Sequence, residues 1–354
     1  MCVVSGSQQR VVLHVGVPKS GTTYLQGLLA SSRDRLRAAG ILYPFIRPGA
    51  MFHGAVEVRG SHDKFGLSRA DVAGTWEALC ERARQHDGTT IISHEVLAGA
   101  SPRQVRTALA PLAGMDVHVV VTARDLGRQA VAHWQEEVKL GATYSFADFE
   151  RAQLRADTGP GPGPDDGGTR PHFWHAQDFA DCLHRWTGGL GPERAQGHGH
   201  LVPLPRPGVD PAELWSRFAA AAGIDPGVVD PSGQAPANPS LGVAEIALLR
   251  AVNVELDGRL ERSEYLRLVK RGYAEGELAQ RPGPRAKAPY DLGGVFGTAT
   301  AAWLEQARRD GVVIHGDPAD LAPVLAGPDD PRPDDVELTE DPAAAIRSLV
   351  PQLP

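Results

Sequence analysis

The chain has 354 residues, 42% of them hydrophobic, which is ordinary for a globular protein and ample for one large α/β domain. Its net charge of −7 argues against a general nucleic-acid binder, which relies on basic patches. Three cysteines, an odd number with no C-x-x-C pair, argue against a disulfide framework and fit a reducing compartment. No run has the length and apolarity of a membrane span, and the first nine residues lack a signal-peptide core. The expectation is a cytoplasmic protein without a membrane span. The abundance of Ala, Gly, Pro, Arg and Asp suggests a high-GC bacterial genome.

The apolar, β-branched run 11–15 reads as a buried strand, followed by a tight loop and a helix over 22–39 with Gly40 as its stop. A short strand is expected at 41–44 and a loop over 47–67, where an acceptor-binding loop would follow the first unit. Ser68, with Asp71 three residues on, caps a helix over 68–85. The run 89–93 is a strand ending at His94-Glu95, and Ser101-Pro102 opens a helix. The run 117–122 is the clearest buried strand and ends in Ala123-Arg124-Asp125, with a helix over 127–139 behind it. Strands alternating with helices predict a parallel sheet with ligands outside the strands' carboxyl ends. That topology alone brings the loop with Lys19, His94-Glu95 and Arg124 to one edge.

The stretch 157–171, rich in Gly-Pro repeats, reads as a flexible insertion. Helices follow over 173–186, 210–222, 241–256, 260–278 and 303–309, with a strand at Leu201-Val202 and an apolar turn at 312–314. The second half is thus largely helical, and 327–354 reads as an acidic, Pro-rich, solvated tail. Five tryptophans (Trp134, Trp174, Trp186, Trp215 and Trp303) read as core anchors. His198-Gly199-His200 lacks a Cys or carboxylate at ligand spacing and reads as surface.

The loop carries the chemistry. A strand, a glycine loop and a helix place backbone N–H groups around an anion, and the helix start adds partial positive charge. Ser20, Thr22 and Thr23 offer hydroxyl groups, Gly21 the turn, and Lys19 a full charge. Gly16 and Gly21 have the spacing of the nucleoside-triphosphate loop, but Thr22 stands where its lysine belongs.

Pro18-Lys19-Ser20-Gly21-Thr22-Thr23 resembles the 5′-phosphosulfate loop of the sulfotransferases that use 3′-phosphoadenosine 5′-phosphosulfate (PAPS). The resemblance implies a single domain over 1–354: three-layer α/β/α with a central parallel sheet, similar to the P-loop nucleoside-triphosphate hydrolases. It implies PAPS as donor, a carbohydrate, lipid or small-molecule acceptor, and no metal. Lys19 would stabilise the leaving oxygen. His94 is the favoured base for the acceptor, with Glu95, used in some branches of the family, as runner-up. Arg124 corresponds to the arginine that binds the 3′-phosphate. The chain departs from the family at Ala132, where a serine is expected eight residues after that arginine, and Arg128 and Gln129 are the available substitutes. The alternatives are a P-loop kinase or NTPase, for which Asp125 would be the magnesium ligand, and a non-catalytic nucleotide-binding protein.

Overall fold

The structure is a computed structural model that describes residues 9–154, 171–233 and 240–349. These fall into two compact units. The first comprises residues 9–124, 175–233 and 300–321, and the second 125–154, 171–174, 240–299 and 322–349.

The first unit is built on a six-stranded sheet of β1 (Arg10–His14), β2 (Ile41–Leu42), β3 (Thr89–Ser93), β4 (Asp116–Ala123), β5 (Gly199–Pro203) and β6 (Val313–Ile314). The order is β2-β3-β1-β4-β5-β6, with every pairing parallel. Val11, Val12, Leu13 and His14 are all fully buried, as expected of a central parallel strand covered on both faces. On one face Val12, Ile91, Val120 and Val202 pack against Leu25, Leu28 and Leu29 of the helix Thr22–Ser31 and Trp215 and Phe218 of the helix Ala212–Ala222. On the other the helix Phe179–Gly188 lies on β4 and β5, close enough that a Cβ on Gly199 would come within 2.9 Å of Thr187 and 3.6 Å of Leu183. The strand order reverses at β1, whose neighbours are β3 and β4. The carboxyl end of β1 is therefore the switch point at which a ligand crevice opens in such sheets.

Several elements differ from the sequence expectations. The helix 22–39 breaks at Ser32 into Thr22–Ser31 and Arg33–Ala38. The helix 68–85 breaks at Gly74, whose φ of 74° ends one piece and starts the next, Thr75–Arg84. The expected loop 47–67 holds a ten-residue helix, Ala50–Arg59. Gly54 in its middle, which reads as a loop signal, is there because a Cβ would lie 2.9 Å from Leu79 Cδ1 of the neighbouring helix. The apolar turn 312–314 is the edge strand β6, and the helix 303–309 begins at Gly293, its glycines and threonines masking the buried row Phe296, Ala299, Trp303 and Ala307.

The second unit is helical, with Leu126–Lys139 and Val243–Leu256 as its longer members. Trp134, Phe146, Phe149, Phe173, Trp174 and Phe296 fill its interior, with adjacent rings mostly edge to face. Gln135 bridges the backbone of Leu241 with both ends of its amide, accepting at 3.2 Å and donating at 3.1 Å. All five tryptophans read as core anchors are buried. The expected insertion 157–171 lies, except for residue 171, outside the described residues. Of the expected tail, 327–349 is described. There Asp334 accepts from the N–H groups of Phe146 and Ala147 at 2.9 and 2.8 Å and pairs with Arg250 at 2.8 Å, and Pro342–Leu349 is a helix.

Candidate active site at the ends of three strands

The loop 15–21 runs from the end of β1 alongside β4, the N–H groups of Val15 and Val17 donating to the carbonyls of Val120 and Thr122 at 2.9 and 3.2 Å. It turns into the helix Thr22–Ser31 through Lys19 and Gly21, both in the left-handed region with φ of 63° and 83°. Glycine adopts that conformation at no cost, whereas a residue with a Cβ is held there against about 1–2 kcal/mol. Among the described residues no side chain caps the first turn of the helix, so its leading N–H groups are left to another partner.

Beneath the loop lies a string of buried polar side chains whose donors can be assigned in full. Ser20 donates its hydroxyl hydrogen to the carbonyl of Val17 at 2.6 Å. Its 2.7 Å contact with Thr122 Oγ1 is therefore a donation from Thr122. Thr122 must then accept from His14 Nε2 at 3.1 Å, and His14 Nδ1 must accept from Ser93 Oγ at 2.8 Å. Ser93 of β3, His14 of β1, Thr122 of β4 and the loop are thus joined in one direction. The string requires neutral His14, and burial, helped by His94 and opposed by Glu95, pushes its pKa down to about 4. Gly16 is open for the same reason: a Cβ there would stand 2.4 Å from Thr122 Oγ1 and 2.8 Å from Thr22 Cγ2. Sequence reasoning missed His14, Ser93 and Thr122, although a polar residue closing each of three apolar strands was a visible signal.

Of the side chains singled out from sequence, those of the first unit gather around this loop. Lys19 is partly exposed at its crest and its carbonyl accepts from Arg124 Nη1 at 3.5 Å. Ser20 is buried with its hydroxyl turned inward, so what it offers a ligand is its N–H. Thr23 is exposed on the first turn. Thr22 is buried beside the Glu95 carboxylate, which accepts from Gln26 Nε2 at 3.0 Å. Burial opposes the charge on Glu95, but His94, a backbone N–H, Gln26 and Thr22 together outweigh it and hold the carboxyl below its ordinary range. His94 is tied to β1 by its N–H, which donates to the carbonyl of His14 at 3.1 Å. Its Nδ1 accepts from the N–H of Val96 at 3.2 Å, so the neutral ring carries its hydrogen on Nε2. Burial lowers its pKa, against the pull of Glu95. Phe52 and Phe65 extend an apolar flank beside it, Phe52 lying 5.3 Å from the imidazole and 5.0 Å from Phe65 between centroids.

Arg128 belongs to the second unit, where its guanidinium pairs with the buried Asp125. Asp125 caps the helix Leu126–Lys139, accepting from the N–H groups of Arg128 and Val324 at 3.0 Å each. An aspartate committed to two backbone donors and a guanidinium is poorly suited to hold magnesium. No family model matches this sequence, and neither a curated protein nor a solved structure matches it.

Proposed function

We propose that the chain is a three-layer α/β/α sulfotransferase with a P-loop-like cradle, moving a sulfuryl group from PAPS to an acceptor hydroxyl or amine. One observation carries the reading: the adjacent strands β3, β1 and β4 end in a carboxylate, a lysine-bearing glycine loop and an arginine. The Gln26–Glu95 and Arg124–Lys19 hydrogen bonds tie all three together. The uncapped N–H groups of residues 20–23 suit the 5′-phosphate, and the ammonium of Lys19 suits the bridging oxygen on which charge grows as the sulfur–oxygen bond breaks. Arg124 is the group for the 3′-phosphate.

The hydrogen bonding favours Glu95 over His94 as the base. A base needs a free lone pair, and His94 spends the one on Nδ1 on Val96 while Nε2 carries hydrogen. Glu95 is ionised, partly exposed and adjacent to the helix start. In transfer, the acceptor oxygen or nitrogen bonds to sulfur, the bond from sulfur to the bridging oxygen breaks with its electron pair passing to the phosphate, and the acceptor's proton goes to Glu95. His94 Nε2–H remains a donor that can orient the acceptor or the sulfuryl oxygens. The P-loop kinase alternative is disfavoured by the engagement of Asp125.

The test compares ligands and variants. Adenosine 3′,5′-bisphosphate should raise the melting temperature and ATP with magnesium should not; a shift with ATP alone, or with neither, overturns the reading. With an acceptor in hand, Glu95→Gln should lower kcat by about a hundredfold or more, and His94→Asn by less. The reverse order would return the base to His94.

A further inference from the structure

At the opposite ends of β4 and β5, away from the phosphate loop, lies a second polar cluster. Alternation along β4 puts Asp116 and His118 on one face, and the register that pairs Val119 with Gly199 brings His198 beside them. His118 and His198 stack with centroids 4.7 Å apart. His118 Nε2 lies 3.1 Å from Asp116 Oδ2, and His198 Nε2 lies 3.1 Å from Asp116 Oδ1. His198 and His200, read from sequence as surface residues, are therefore half-buried and buried members of a cross-strand group.

Hydrogen placement makes this group incomplete. His198 Nδ1 lies 3.1 Å from the carbonyl of Gln196, which can only accept, so Nδ1 must carry a hydrogen. In the neutral ring Nε2 then bears a lone pair, and that lone pair faces the Asp116 carboxylate. Two acceptors at this distance require a positive centre between them.

We propose that Asp116, His118 and His198 hold one divalent transition-metal ion of the zinc class. Ligand bonds of about 2.0–2.1 Å in a tetrahedral shell place neighbouring ligand atoms about 3.3 Å apart; each imidazole stands 3.1 Å from a different oxygen of Asp116, so the carboxylate would turn one oxygen, or offer both, to an ion between the two rings. All three ligand atoms lie within 4.8 Å of one another. The outer contacts are those that orient ligating imidazoles. The Gln196 carbonyl holds His198, and His118 Nδ1 lies 2.8 Å from His200 Nε2, with His200 Nδ1 in turn 3.0 Å from His315 Nε2. The ligand side chains are 12–29% exposed, so an ion can enter from solvent and keep water in its fourth position. The neighbouring cation is Arg10, whose Nε lies 3.9 Å from Asp116 Oδ2. The carboxylate would be shared between them.

The experiment is a zinc titration of the metal-stripped full-length chain against a chromogenic chelator, with X-ray absorption on the loaded protein. One zinc per chain should bind, with two imidazoles and oxygen at about 2.0–2.1 Å. His198→Gln and Asp116→Asn should each weaken it by at least about tenfold, while His86→Gln, at a half-buried histidine elsewhere, leaves it unchanged. Circular dichroism checks that each variant folds, and His118→Gln replaces any that does not. Failure to bind one equivalent, or binding that these variants leave intact, overturns the proposal. So does a His198 ring that nuclear magnetic resonance shows doubly protonated in excess zinc, because a proton then fills the gap.

Discussion

Lys19 is one of two non-glycine residues in the left-handed region among those described, the other being Asp257. A strained residue is tolerated where its side chain is required, and here it stands between the sheet's switch point and an uncapped helix start. Lys19→Gly should therefore separate the two demands. It should raise stability by up to about 1 kcal/mol, read from the urea midpoint, because glycine meets the same φ without strain. It should also abolish nucleotide binding or transfer, because the ammonium is gone. A loss of stability would mean the left-handed φ is not what the lysine costs. The place of Lys19 in a glycine loop between a strand and a helix was legible from the sequence. Its backbone conformation was not, because φ at a single position leaves no trace in composition.

At the scale of elements, the strand, loop and helix 10–31 were readable because period and residue type agree there: a β-branched run, glycines at loop spacing, then apolar residues at helical spacing. The helix Ala50–Arg59 was not, because Gly54 serves packing rather than a turn. Gly54→Ala sets two effects against each other. Alanine gains about 1 kcal/mol of helix propensity, but its methyl would come within 2.9 Å of Leu79, which is fully buried and has little room to move. Overpacking of this kind costs about 1–3 kcal/mol, so the variant should be net destabilised in urea. An unchanged or raised midpoint would show that the two helices can part freely. The histidine cluster was missed for a related reason. His198 and His200 are two apart, which aligns them on one face, but the partners His118 and Asp116 come from another strand through a register that sequence does not display.

For the molecule as a whole, the parallel sheet could be foreseen from alternating strands and helices, while the division into two units could not, since each unit is assembled from segments distant in sequence. The polar string under the loop also makes global stability depend on pH. The folded-state pKa of His14 is about 4, below the ordinary imidazole value of 6.5, so the unfolded chain binds the extra proton between them. Stability from this group is complete above about pH 6.5 and lost as pH falls toward 4, a change of about 3 kcal/mol. His200, pushed down to about 3 by burial and then by His118 and His315, adds to the loss with the same sign. Urea melts of the full chain at pH 7, 5.5 and 4.5 should show this decline, and His14→Asn should flatten part of it. A wild-type profile level across that range would mean that His14 is not held neutral.

The one-way string from Ser93 to Val17 has a further consequence. Because each link fixes the rotation of the next hydroxyl or ring, the floor of the cradle has a single arrangement before any ligand arrives. On the proposed reading, an incoming anion would lose little to ordering the protein, and selection among anions would rest on how well their oxygens match a spacing set in advance rather than on how far the protein can close around them.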